Sequence, residues 1–235
     1  MALDVYFGSL TRYYSGDWEN VAEKVARERG VQYRMTRTPP KDTLRDAARI
    51  RPVVLAWRRK LGEALSGKVD AALDWDESAD ASYFTDRPGW DGFGSLVLWA
   101  AYSEHPALRR PQSLPEAWDD DAALVRSNAA NFKSRYGHLV RNIELWLPCG
   151  FAVSFEAEDA AGRKTVIGSV MTLRRQLADL NDATWKAKAH DIASWRGAPP
   201  GEEADLEARA KFAFSVFTSL VEQAAAAKLP MKLDY

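Results

Sequence analysis

The sequence predicts an α+β fold, predominantly helical, with several helices packed around a few short strands. Apolar residues recur at three- and four-residue spacing through several long stretches, the period of a helix with one buried face. Phe151, Val153 and Phe155 alternate with Ala152, Ser154 and Glu156, and a turn at Ala160–Gly162 leads into Thr165–Ile167. That pattern reads as one antiparallel hairpin near 151–168. Strands and helices do not alternate regularly, which disfavours a doubly wound parallel sheet.

Taken in chain order, Ala2–Gly8 reads as a strand, rich in β-branched and aromatic residues ahead of a glycine. Asp17 stands at an N-cap position for a helix whose Trp18, Val21, Ala22 and Val25 share a face, and Gly30 stops it. Val31–Thr36 suggests a short strand ended by Pro39-Pro40, neither of which can donate to a ladder. A helix follows from Asp42; Pro52 should kink or restart it, and Val54, Trp57, Leu61 and Leu65 give its apolar stripe. Val69–Trp75 suggests another strand, and Asp76–Gly89 a polar loop.

The helix around Leu96–Tyr102 is apolar on all sides and belongs in the centre of the molecule. Pro106, Pro111 and Pro115 mark a surface loop. A helical pattern then runs from Ala122 through Val125, Phe132, Tyr136 and Ile143 to Pro148. After the hairpin, Ser169 can cap a helix carrying Val170, Leu173, Leu177 and Leu180. A short helix holds Trp185 to Trp195, and the last one packs through Leu206, Ala213, Phe217 and Leu220 before Pro230. With no internal repeat or low-complexity linker, residues 1–235 read as a single domain.

Composition narrows the function classes. The chain is 46% hydrophobic and 28% charged, an ordinary globular balance that disfavours disorder. One cysteine, Cys149, excludes an intrachain disulfide and a cysteine-rich zinc site. The longest apolar run, Leu96–Tyr102, falls far short of the roughly 18 residues a membrane span needs, so a cytoplasmic location is expected. The abundance of Ala, Arg and Asp resembles a bacterial, high-GC composition. A net charge of −1 argues against a dedicated nucleic-acid binder. That charge is unevenly spread: +6 over residues 1–60, −9 over 61–125 and +2 over 126–235. Such asymmetry means either an acidic surface for a basic partner or two segments that neutralise each other within the fold.

Candidate sites follow from residue types. Asp74, Asp76, Glu77 and Asp80 could converge on a hard cation, although the EF-hand glycine and distal glutamate are missing and a solvated loop explains them too. Arg12, Tyr13 and Tyr14 follow the first strand, where a guanidinium can grip an anion in two places. Alternatively they form an aromatic clamp on neighbouring structure. Trp90, Asp91 and Ser95, in the glycine-rich entry to the central helix (Gly89–Ser95), could form the other wall of a ligand pocket with Arg12–Tyr14. Tight turning accounts for those glycines equally well.

Cys149 lacks a protease-like signature and reads as an inert buried thiol. His105, His138 and His190 read as capping or surface residues, and His190 should not face its neighbour Asp191. No cofactor motif is present. The function that ranks first is an interaction domain of the inhibitor or immunity class, with Trp118, Asp119, Asp120 and Asp121 facing a basic protein partner. The alternative is a small-molecule or anion-binding protein, or an enzyme, using the Arg12–Tyr14 and Gly89–Ser95 pocket. Oligomeric state is left open.

Overall fold

Six short strands form one mixed sheet in the order β2-β1-β6-β3-β5-β4. They are β1 (Asp4–Phe7), β2 (Phe84–Asp86), β3 (Leu145–Leu147), β4 (Phe155–Glu158), β5 (Lys164–Ser169) and β6 (Met231–Asp234). Only β3 and β5 run parallel; every other pairing is antiparallel. The structure, a computed structural model, describes residues 2–31 and 46–235. The strand expected over Val31–Thr36, apart from Val31, and the helix start at Asp42 lie outside the described residues.

Nine α-helices stand among the described residues: α1 (Leu10–Ser15), α2 (Val21–Glu28), α3 (Ala47–Ala64), α4 (Gly89–Glu104), α5 (Ala122–Ser127), α6 (Gly137–Val140), α7 (Val170–Ala183), α8 (Ala189–Gly197) and α9 (Leu206–Ala227). The fold is α+β, as the periodicities indicate, but helices take 48% of it, so "predominantly helical" is loose.

The central helix lies where its composition demands. All of Gly92–Tyr102 is buried, because α4 packs against α9 along its length and under the loop that follows it. Helix α9 in turn lies on the sheet: Phe217 stacks on Phe93 at 5.7 Å and meets Trp146 of β3 edge-on at 6.2 Å. This face of the sheet carries Met231 and Trp146, which are register partners. The opposite face carries Tyr6 and its partner Lys232, and there Tyr13 of α1 packs on both, at 5.3 and 5.5 Å. Helices therefore cover both faces of the sheet.

Several local readings need correction. Asn20, with Glu23 in a capping box, starts α2, and Asp17 lies in the turn before it. Pro52 does not restart α3, which runs on from Ala47 to Ala64. Val69–Trp75 forms no strand. Its Asp70 is tied to Gly150 by both backbone and carboxylate, an irregular loop geometry.

The long helix expected from Ala122 to Pro148 is instead α5, an irregular stretch, α6 and β3. Leu145-Trp146-Leu147 is fully buried, and a short apolar run covered on both faces lacks the two-residue alternation that betrays a strand. The hairpin near 151–168 is present with the register Phe155↔Ile167, but its first strand begins only at Phe155.

Candidate functional site

Helices α1 and α3 pack against the acidic loop that follows α3. Glu77 is 2% exposed and accepts hydrogen bonds from the amides of Leu10 (3.0 Å) and Thr11 (2.6 Å) and from the indole of Trp75. A carboxylate in that place satisfies the free amides at the start of α1 and complements their partial positive charge. Arg12 donates to the carbonyls of Ala79 and of Ala81 (2.7 Å) and lies over the Tyr83 ring at 4.8 Å. Arg58 of α3 donates to the Trp75 carbonyl at 2.5 Å, covers the Trp75 ring and pairs with Asp74 at 3.5 Å. Of these contacts only Arg58–Asp74 pairs opposite charges; the others join a charged side chain to backbone or indole groups.

This arrangement corrects the cation-site expectation. Glu77 points inward, Asp74 outward to Arg58, and Asp76 into its own turn, where it accepts from the Ser78 amide (2.8 Å) and hydroxyl (3.0 Å). Those bonds lower the Asp76 pKa. Asp80 is exposed. Among the described residues no group of three or more His, Cys, Asp or Glu side chains is placed to hold a metal.

The two-walled pocket is corrected as well. Tyr13 packs on the Tyr6 and Lys232 face, whereas α4 lies beyond α9 on the Trp146 face, so the sheet separates Arg12–Tyr14 from Gly89–Ser95. Trp90 meets Tyr235 edge-on at 5.1 Å, Asp91 pairs with Arg209 at 2.8 Å, and the Ser95 side chain is fully buried. The glycines of this segment serve packing. A Cβ on Gly94 would stand 2.8 Å from the Trp118 indole, so only a bare backbone lets that ring lie flat on α4.

A buried ionic cluster joins α1, the β4–β5 turn and β6. Asp159, 3% exposed, accepts from Arg163 at 3.2 Å and stands 3.8 Å from the ammonium of Lys232, itself 4% exposed. Tyr13 donates to Asp234 at 3.0 Å. Burial, and then the neighbouring carboxylates, push the Tyr13 and Tyr14 phenols well above their ordinary pKa. Burial pulls the Lys232 ammonium down. The last residues of the chain gave no signal for this cluster, because nothing in the string 230–235 shows that β6 occupies the middle of the sheet.

His105, His138 and Cys149 are held within the fold, and His190 is exposed. His138 is 1% exposed: its Nδ1 accepts from the Ser169 amide at 2.9 Å and its Nε2 faces the Ala152 carbonyl at 3.3 Å. That pattern fixes the neutral Nε2–H tautomer, and burial lowers its pKa, so His138 is a core residue and neither cap nor surface. His105 caps the end of α4. His190 and Asp191, expected to diverge, do meet, at 3.1 Å on the surface. Burial pushes the Cys149 thiol up to about 12, which leaves negligible thiolate near neutral pH.

Trp118, Asp119 and Asp120 form a 3-10 turn ahead of α5. Trp118 is half-buried against Gly94 and Phe93 rather than projecting. Asp121 caps α5 through the Ala123 amide (2.8 Å) and accepts from the Tyr102 hydroxyl (3.0 Å). Asp119 and Asp120 remain exposed, and so does Val125 on the next turn, at 56%.

Comparison of the chain with protein-family models, curated proteins and solved structures returned no match. Among the described residues no helix is long and apolar enough to cross a membrane.

Proposed function

We propose that this chain is a protein-interaction domain, of the inhibitor or immunity class, that engages a basic partner through the turn Glu116–Asp120 and Val125. The observation that supports it is the seating of Trp118 on Gly94. With the indole fixed to α4 and Asp121 fixed by the α5 cap, Asp119 and Asp120 stand on a rigid turn and face solvent. Rigid presentation lowers the ordering cost of binding, and carboxylates beside an exposed valine supply both steering and apolar contact.

The test is affinity capture by the intact protein, by Asp119→Lys/Asp120→Lys, and by Asp76→Lys/Asp80→Lys as a control with the same charge change. A basic protein retained by the wild type and the control, released by salt and lost from the first variant, is the expected result. Equal retention by all three overturns the proposal.

A further inference from the structure

The acidic turn ahead of α5 is followed at once by a stretch of the opposite sign. Residues 116–121 carry four carboxylates and no cation, and residues 122–143 carry four cations and no carboxylate. Helix α5, six residues and about 9 Å long, stands between the two. Its Ala122, Val125 and Arg126 are exposed and, at spacings of three and four, share one face. Asp119 and Asp120 precede that face, Arg126 ends it, and Val125 between them is 56% exposed.

The two signs do not neutralise each other within the chain. Among the described residues Asp119, Asp120 and Arg126 form no ion pair. Other exposed carboxylates here do find an arginine, Asp91 with Arg209 and Glu222 with Arg174, each at 2.8 Å. Around α5 the geometry forbids it. The Asp121 cap and the seated Trp118 fix one end, and the helix length exceeds the roughly 4 Å over which an ion pair forms.

An acidic pole, an exposed valine and a basic pole therefore lie in line on one rigid face. Such a face becomes complementary to itself when rotated by half a turn about its centre, which is the condition for a two-fold interface. Like charges then stay apart and unlike charges meet twice.

We infer that this face pairs with the same face of a second copy of the chain. Asp119 and Asp120 of each copy meet Arg126 of the other, and the two Val125 side chains meet at the axis. The inference rests on the proposed function in one respect, that the acidic turn is a binding surface. It adds that the chain itself covers that surface until a more basic partner displaces it. The face is small and its charges are solvated, so the pair is weak, reversible and sensitive to salt.

The experiment is sedimentation equilibrium of the purified full chain, with no other protein present. At low salt the average mass should climb with concentration toward that of two chains, and added salt should return it to one. Arg126→Glu and Asp119→Lys/Asp120→Lys should each stay monomeric, while the exposed control Arg59→Glu pairs like the wild type. An equal mixture of the two monomeric variants should regain the dimer, because only the mixed pair brings unlike poles together. Melting temperatures of dilute samples verify that each variant is folded. A wild type that is monomeric up to millimolar concentration, a dimer that persists in Arg126→Glu, or a mixture that stays monomeric would each overturn the inference. A monomer that still captures a basic protein leaves the proposed function standing, and a dimer restored by the mixture stands even where no basic protein is captured.

Discussion

The acidic loop Asp74–Asp80 and the acidic segment Glu116–Asp121 look alike as strings of carboxylates, yet the fold uses them in opposite ways. In the first, the carboxylate that matters turns inward: Glu77 closes the start of α1, while Arg12 and Arg58 clamp the loop from outside. In the second, an aromatic ring and a helix cap do the anchoring, and Asp119 and Asp120 are left to solvent. Net charge over a window cannot separate the two cases. What separates them is whether unsatisfied amides lie within reach of the carboxylate. An acidic side chain beside a buried helix start is structural, whereas Asp119 and Asp120, beside a packed indole, stay in solvent.

The largest effect should come from Glu77→Ala. It leaves two buried amides and an indole N–H without an acceptor, and each such group costs about 1–3 kcal/mol. A loss of about 3 kcal/mol or more is expected in urea unfolding, with Glu77→Gln losing less because its amide oxygen still accepts. If Glu77→Ala melts like the wild type, the inward role of this loop is wrong. On the other side of the comparison, Gly94→Ala drives a methyl into the Trp118 ring. Overpacking of this kind costs about 1–3 kcal/mol. It should also quench or shift Trp118 fluorescence, read against Trp118→Phe, because the turn that carries Asp119 and Asp120 has lost its seat.

Alkaline titration sharpens the contrast. Burial, and then its hydrogen bond to Asp121, raise Tyr102 beside the second segment to about 12. Beside the first, burial raises Tyr6, which also faces Glu77, and burial likewise raises Tyr13 and Tyr14 of α1, which face Asp234 and Asp159. A tyrosine whose folded pKa is raised keeps its proton longer in the native state. The unfolded chain then binds fewer protons above pH 10, and stability falls as pH climbs from about 10 through the folded values. Tyr102→Phe should lose the part of the tyrosinate step near pH 12 that Tyr102 adds to Tyr235, whereas Tyr13→Phe retains the whole step. Loss of that step in Tyr13→Phe as well would show that the two regions unfold together before either titrates.

How much of this was legible in the sequence follows the same division. The buried helix around Leu96–Tyr102, the Ser169 cap and the presence of a hairpin near 151–168 could be read because each has a local signal: an all-apolar run, a capping residue, a two-residue alternation. Strands β3 and β6 could not, since Leu145–Leu147 and Met231–Asp234 are too short and too deeply covered to show a period. The inward turn of Glu77 is equally silent, because its partners Leu10 and Thr11 lie 67 and 66 residues away. Charge asymmetry left open whether residues 61–125 face a partner or residues 1–60, because net charge carries no information on which side chains meet.

The smallest predicted effect is also the closest test of the comparison, because it contrasts neighbours. Asp121 accepts from the Ala123 amide at 2.8 Å and from the Tyr102 hydroxyl at 3.0 Å, so Asp121→Ala removes an N-cap and strands a phenol that is only 7% exposed. A cap substitution of this kind costs about 1 kcal/mol. Asp119 and Asp120, two positions and one position earlier, are exposed, and alanine at either should change stability by less than about 0.5 kcal/mol. Partner binding should show the reverse order, falling with Asp119→Ala and Asp120→Ala and surviving in whatever fraction of Asp121→Ala stays folded. If Asp119→Ala and Asp121→Ala destabilise the protein equally, the turn is a single structural unit. It then offers no free carboxylates, and the second segment has the same internal role as the first.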